Sequence, residues 1–197
     1  MNHIKFVNKN DIKTVAILHK NIFPDHFLGM LSVNLITRFY ESFVSDRLIF
    51  LVSINEDKVS GFVLGGNSSV INECKKKFVK DNFVRLFVYL VLSPKVYPLI
   101  FSRLKNMLKI NKKSKGQVST ASIRLLSIGV NSEYKRGGIG STLIKHFEEI
   151  AKQKGIESYG LSVYKTNEKA ISFYKKNGLK IEKETSNSLY FYKTLTE

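Results

Sequence analysis

The stretch LSIGVNSEYKRGGIGS at residues 126–141 constrains this chain more than any other. An apolar, strand-like run passes through a basic turn into a glycine-rich entry to an amphipathic helix. Gly137, Gly138 and Gly140 carry no Cβ, so the backbone can approach a ligand closely and point successive N–H groups at it. A helix N-terminus adds a partial positive charge. Lys135 and Arg136 add two full charges at the same place, a combination suited to a diphosphate rather than a neutral ligand. A cofactor carrying a pyrophosphate is implied.

The 197 residues fit a single domain, 1–197, with a full hydrophobic core. The chain shows neither a leader-like start nor a run of about 18 apolar residues, and a soluble, cytoplasmic protein is the expectation. Cys74 is the one cysteine; it cannot make an internal disulfide, and it stands too far from the histidines in sequence to suggest a metal site. No metal is expected.

The net charge of +16 raises the question of nucleic acid, because clustered cations are the footprint of phosphate-backbone binding. Only 6 of the 32 basic residues are arginine, too sparse for the arginine–aromatic interleaving that single-strand binding would favour. A Lys-, Asn- and Ile-rich composition is also what an AT-rich genome produces. The charge is uneven: residues 68–120 hold ten Lys and two Arg against Glu73 and Asp81, a net +10.

The order of elements is mixed. Residues 4–7 read as a strand, and Asn10 or Asp11 caps a helix with Ile12, Val15, Leu18 and Ile22 on one face. A second helix is expected over 32–44. Strands over 48–54 and 59–64 flank the polar loop 55–58 as an antiparallel hairpin. Residues 70–110 show helical spacing broken at Pro94 and Pro98, followed by a lysine-rich polar stretch over 111–119. The regular pattern resumes with a strand to Val130, a helix to about Lys154, a strand over 158–164, a short helix over 167–177 and two final strands.

This order, with two motifs, resembles the GNAT superfamily of acetyl-CoA-dependent N-acetyltransferases. Leu125–Val130 followed by Lys135-Arg-Gly-Gly-Ile-Gly140 is similar to the family's strand and Q/R-x-x-G-x-G/A loop, with Lys135 in place of the usual Gln or Arg and Arg136 beside it. Asn167-Glu-Lys-Ala-Ile-Ser-Phe-Tyr-Lys-Lys-Asn-Gly-Leu179 resembles the second signature, N-x-x-A-x-x-F/L-Y-x-x-x-G-F. Between Asn10 and Leu64 the likeness is one of element order, and residues 68–120 carry no shared motif.

The resemblance implies an α/β fold, a mostly antiparallel twisted sheet flanked by helices, with residues 70–119 as a helical, lysine-rich insertion. It implies acetyl-CoA as cofactor and a primary amine as acceptor. The coenzyme's contacts would fall on Ile128, Gly129, Val130, Lys135, Arg136, Gly137, Gly138, Ile139, Gly140, Ser141, Asn167 and Tyr174. Ile128 or a neighbour would supply a backbone amide to the thioester oxygen, and Gly129 is consistent with a strand irregularity there; packing of Gly129 on the following helix is the alternative. Tyr174 matches the tyrosine that protonates the departing thiolate; a core aromatic is the alternative. Asn167 would cap its helix. No base has a spacing signature, and Asp25, His26 and Glu41 are candidates because the first two helices border the acceptor side in this fold.

The inserted segment is expected to shape acceptor choice, as a cationic cleft, as an interfacial surface in peripheral contact with an anionic membrane, or as plain core helices. Phe23-Pro-Asp-His-Phe-Leu28 loosely resembles bacterial GNAT proteins of surface-polysaccharide synthesis. The leading expectation is therefore a transferase acting on a small amine such as a nucleotide- or lipid-linked amino sugar. The alternatives are a peptide N-terminus as acceptor, or a cofactor-sensing or nucleic-acid-binding module without turnover. A terminal strand bearing Tyr190 and Tyr192 is compatible with a monomer or a homodimer.

Overall fold

The computed structural model describes residues 3–93, 121–134 and 137–195. Seven strands form one sheet: β1 (His3–Phe6), β2 (Leu48–Asn55), β3 (Lys58–Gly66), β4 (Ile123–Val130), β5 (Ser158–Tyr164), β6 (Lys180–Glu184) and β7 (Ser188–Thr194). Their order is β1-β2-β3-β4-β5-β7-β6. Every neighbouring pair is antiparallel except β4 and β5, which run parallel. This is the mixed, mostly antiparallel α/β architecture expected.

Helices cover both faces. On one lie α1 (Ile12–Ile22), the single turn α2 (Phe27–Met30), α3 (Val33–Glu41), α4 (Ser68–Asp81) and α5 (Phe83–Leu92); on the other lie α6 (Ile139–Gln153) and α7 (Glu168–Lys176). The strand pleat sorts side chains between two cores. Phe50, Val52, Phe62 and Leu64 pack with Ile12, Val15, Ile36, Tyr40 and Phe43. Ile49, Leu51, Val63, Ile123 and Leu125 pack instead with Leu143, Ile144, Phe147, Tyr174 and Phe191.

Local chemistry sets the boundaries. Ser32 caps α3 by accepting the Leu35 N–H, and Asn67 caps α4 by accepting the Ser69 N–H. The β2–β3 hairpin is tighter than the four-residue loop read from sequence: Glu56 and Asp57 adopt φ of 47° and 61°, and the strands pair to Asn55↔Lys58. Two consecutive left-handed residues match the right-handed twist of the strands, here without glycine. Helix α2 is an addition to the expected elements. Residues 94–119 of the proposed insertion lie outside the described residues.

Candidate active site

Two irregularities in β4 create the site. Opposite β3, the register passes from Leu64↔Ser127 to Gly65↔Leu125, so Leu126 bulges. Opposite β5, pairing is confined to Ile123↔Tyr159 and Arg124↔Gly160. Beyond Arg124 the two parallel strands part. The irregularity associated with Gly129 in the sequence reading falls instead at Leu126; Gly129 itself pairs regularly with Phe62. Nor does Gly129 face the helix that follows it, since a Cβ there would stand 2.8 Å from Ile22 Cδ1 of α1 and 3.0 Å from Phe62 Cε1.

The parting of β4 and β5 gives particular amides a direction. The Asn131 N–H donates to the Ser60 carbonyl of β3 at 2.8 Å. N–H groups alternate between the two edges of a strand, so Gly129 and Ser127 also point toward β3. The amides of Ile128 and Val130 point the other way, into the gap toward β5.

The glycine loop follows directly. A 3₁₀ turn over Ser132–Tyr134 leads through Gly137 to Gly138, which takes φ of 71° at the N-cap of α6 and, as glycine, offers no side chain to cap the helix. The Thr142 N–H bonds to the Gly138 carbonyl, so the amides of Ile139, Gly140 and Ser141 precede the intrahelical ladder. A Cβ on Gly138 would meet nothing within 4 Å, whereas one on Gly140 would lie 3.0 Å from Phe173 Cε2. Gly138 serves the turn; Gly140 admits α7. Lys135 and Arg136 lie outside the described residues.

Asn167 caps α7, its side-chain oxygen accepting the Ala170 N–H at 3.1 Å. Tyr174 is 8% exposed, with ring centroids 5.4 Å from Phe173 and 5.7 Å from Phe191. Burial pushes its phenol up to about 12. Phe173 thus bridges α7 to the start of α6, and Tyr174 stands next to that contact.

On the α1 side, His26 is exposed, stacks on Phe23 at 5.2 Å and meets Tyr164 edge-on at 6.2 Å. Tyr164 is the last residue of β5, so His26 borders the gap. Asp25 is exposed in the same turn. Glu41 ends α3, whose chain runs on into the start of β2, the opposite end of the sheet from the gap. Sequence reasoning missed a buried polar group under this face. His19 Nδ1 lies 2.7 Å from the Tyr40 hydroxyl, and a hydrogen bond from the Ser127 side chain of β4 partly offsets the rise that burial imposes on the Tyr40 phenol. Its only sequence signal was a polar residue among the apolar positions of α1.

Among the described residues no helix is long and apolar enough to cross a membrane, and no cluster of three or more His, Cys, Asp or Glu could hold a metal ion. Helix α5 exposes Phe83, Val84, Phe87 and Leu92, and α4 before it carries Lys75, Lys76, Lys77 and Lys80.

The comparisons with known proteins agree with this geometry. Residues 103–179 match the acetyltransferase (GNAT) family. The chain is 43% identical over 58 residues to spermidine N(1)-acetyltransferase of Thermoplasma acidophilum, covering 29% of this chain and 36% of that protein. It is 43% identical over 56 residues to thialysine N-epsilon-acetyltransferase of Sus scrofa, covering 28% and 33%. The matches thus span about a third of the length of these curated relatives. Among solved structures, the ribosomal-protein-S18-alanine N-acetyltransferase of Escherichia coli superposes with a TM-score of 0.61 at 14% identity over 100% of this chain and 96% of that one. The PaiA N-acetyltransferase of Thermoplasma acidophilum, solved in complex with coenzyme A, gives 0.58 at 18% identity over 98% and 99%. Residues 103–179 thus resemble the GNAT acetyltransferase family, and the arrangement of the sheet is the fold of these solved acetyltransferases.

Proposed function

We propose that the protein is an N-acetyltransferase, a single catalytic domain that moves the acetyl group of acetyl-CoA to the primary amine of a small molecule. One observation carries this reading: β4 leaves β5 after Arg124, so the amides of Ile128 and Val130 face a gap that continues into the uncapped N-terminus of α6. Oriented amides at a helix start suit a pyrophosphate, and the open space at Gly138 leaves room for one. Lys135 and Arg136 would add charge, and Asn167 would border the coenzyme's arm from the start of α7.

Acetyl-CoA supplies an activated thioester. The Ile128 amide would donate to the thioester's carbonyl oxygen, where an oriented donor favours developing negative charge. Tyr174 would hold a hydroxyl proton for the coenzyme's sulfur. Its raised pKa keeps the phenol protonated, and the same desolvation raises the affinity of a thiolate for that proton. His26, at the mouth of the gap and open to water, takes the proton that the amine releases, with Asp25 beside it in the turn.

The acceptor is a small amine in this reading. The curated relatives are named for spermidine and thialysine, and neither name supports the amino sugar suggested by the sequence. Thiol release from acetyl-CoA, followed against polyamines, amino acids, amino sugars and peptide N-termini, tests the proposal. Release that requires an amine supports it; measurable acetyl-CoA binding without release for any amine would favour the sensing module instead.

A further inference from the structure

Arg124 occupies the apex of the gap, as the last β4 residue paired with β5. Its neighbours Ile123 and Leu125 belong to the core under α6, so its side chain lies on the opposite face, the one bordered by α1 and α4. There the guanidinium sits 6.0 Å above the Tyr190 ring. Its Nη1 is buried with no hydrogen-bond partner among the described residues. A buried guanidinium N–H without an acceptor is costly and uncommon in a folded chain.

The space beside it is a cavity of ≈ 270 Å³ whose lining includes Ser68, Asn72 and Lys75 of α4, Arg124 and Leu126 of β4, and Ser162 of β5. None of the described lining residues is acidic. Burial lowers the pKa of Arg124, with Tyr190 and then Glu182 acting in the opposite sense. Burial also lowers that of Lys75. Lys75 is exposed as a whole residue, so the shielding is local to its ammonium. Two cations with incomplete hydration, three neutral hydrogen-bonding side chains and an unfilled guanidinium N–H therefore converge on one cavity.

We infer that this cavity is the acceptor's anion subsite: the amine to be acetylated also carries a carboxylate or phosphate, which Arg124 and Lys75 hold. The inference rests on the acetyltransfer reading above and deepens it. Four residues of strand, roughly 13 Å at about 3.3 Å per residue, separate Arg124 from Ile128. The anion therefore lies at the far end of an extended acceptor, not next to the reacting amine. A planar guanidinium can bind either anion bidentately. The same two charges repel a polyamine such as spermidine.

The test uses matched pairs of acceptors in the thiol-release assay: lysine against cadaverine, which differs from it by the carboxylate, and glucosamine 6-phosphate against glucosamine. The anionic member of at least one pair is expected to have a kcat/KM about tenfold or more higher, mainly through KM. R124Q and K75Q should each move that ratio toward one; K75Q alters an exposed position on α4 and guards against loss of fold in R124Q. The pair with the larger ratio identifies carboxylate or phosphate. Equal or better use of cadaverine and glucosamine, or a ratio that survives both substitutions, overturns the inference. Turnover of any amine upholds the reaction whatever the ratios. If no amine turns over, the reaction fails, and calorimetric titration with inorganic phosphate and 6-aminohexanoate decides the subsite alone: binding weakened by R124Q supports it, and binding that is absent or unaffected overturns it.

Discussion

The Tyr40 hydroxyl lies 2.7 Å from Nδ1 of His19, while Nε2 of the same ring is buried without a partner among the described residues. Burial, and then repulsion from His26, lowers the His19 pKa to about 4. An unfolded chain would titrate this group near 6.5. Between those values the unfolded state binds more protons, so stability is lost as pH falls from about 6.5 toward 4, by an amount on the order of 3 kcal/mol. Urea unfolding across that range should show the slope. The paired change His19→Leu with Tyr40→Phe, which removes both polar partners, should flatten it, and an unchanged slope would assign the effect to other groups.

Tyr174 separates catalysis from packing. Its ring packs on Phe173 and Phe191, and burial alone accounts for its shifted pKa. Tyr174→Phe keeps the ring, so stability should change by less than about 0.5 kcal/mol. Turnover should nevertheless fall by about 10²-fold, the usual scale for loss of a positioned acid. Equal turnover in the variant would make Tyr174 a core residue.

The two loop glycines should fail differently. Gly138→Ala meets no atom within 4 Å but must hold φ of 71°, costing about 1 kcal/mol and disturbing the amides that follow. Gly140→Ala gains helix propensity of about 1 kcal/mol yet presses on Phe173, so its stability change should be small. Calorimetry should show acetyl-CoA affinity reduced about tenfold or more by the first. The second should lower turnover through displacement of α7.

His26 borders the gap through Tyr164. If it accepts the amine's proton, His26→Gln should lower kcat/KM by about 10- to 100-fold near neutral pH, and the deficit should shrink as pH rises and more of the amine is already neutral. A deficit constant with pH would leave His26 a packing residue on Phe23.

Much of this architecture was legible because its signals are local. The strand, glycine turn and helix around Gly138, and the capped helix beginning at Asn167, announce themselves through spacing and turn chemistry. The bulge at Leu126 was not legible, because it is set by register against β3 and no glycine marks it. Glycine misled at Gly129, where absence of a Cβ serves close packing by Ile22 and Phe62. The tight turn at Glu56 and Asp57 lacked the usual Asn-Gly signal. His19, Tyr40 and Ser127 are separated along the chain and meet only through packing of α1 and α3 on β4, as Lys75 and Arg124 meet only through α4.

Hydrogen exchange with and without acetyl-CoA would locate the coenzyme on the sheet. Exchange is expected to slow in peptides containing the Ile128 and Val130 amides, the first turn of α6 and the start of α7, with the β1–β2 edge unchanged. Binding that leaves residues 126–142 unprotected, or protection confined to another part of the sheet, would contradict it.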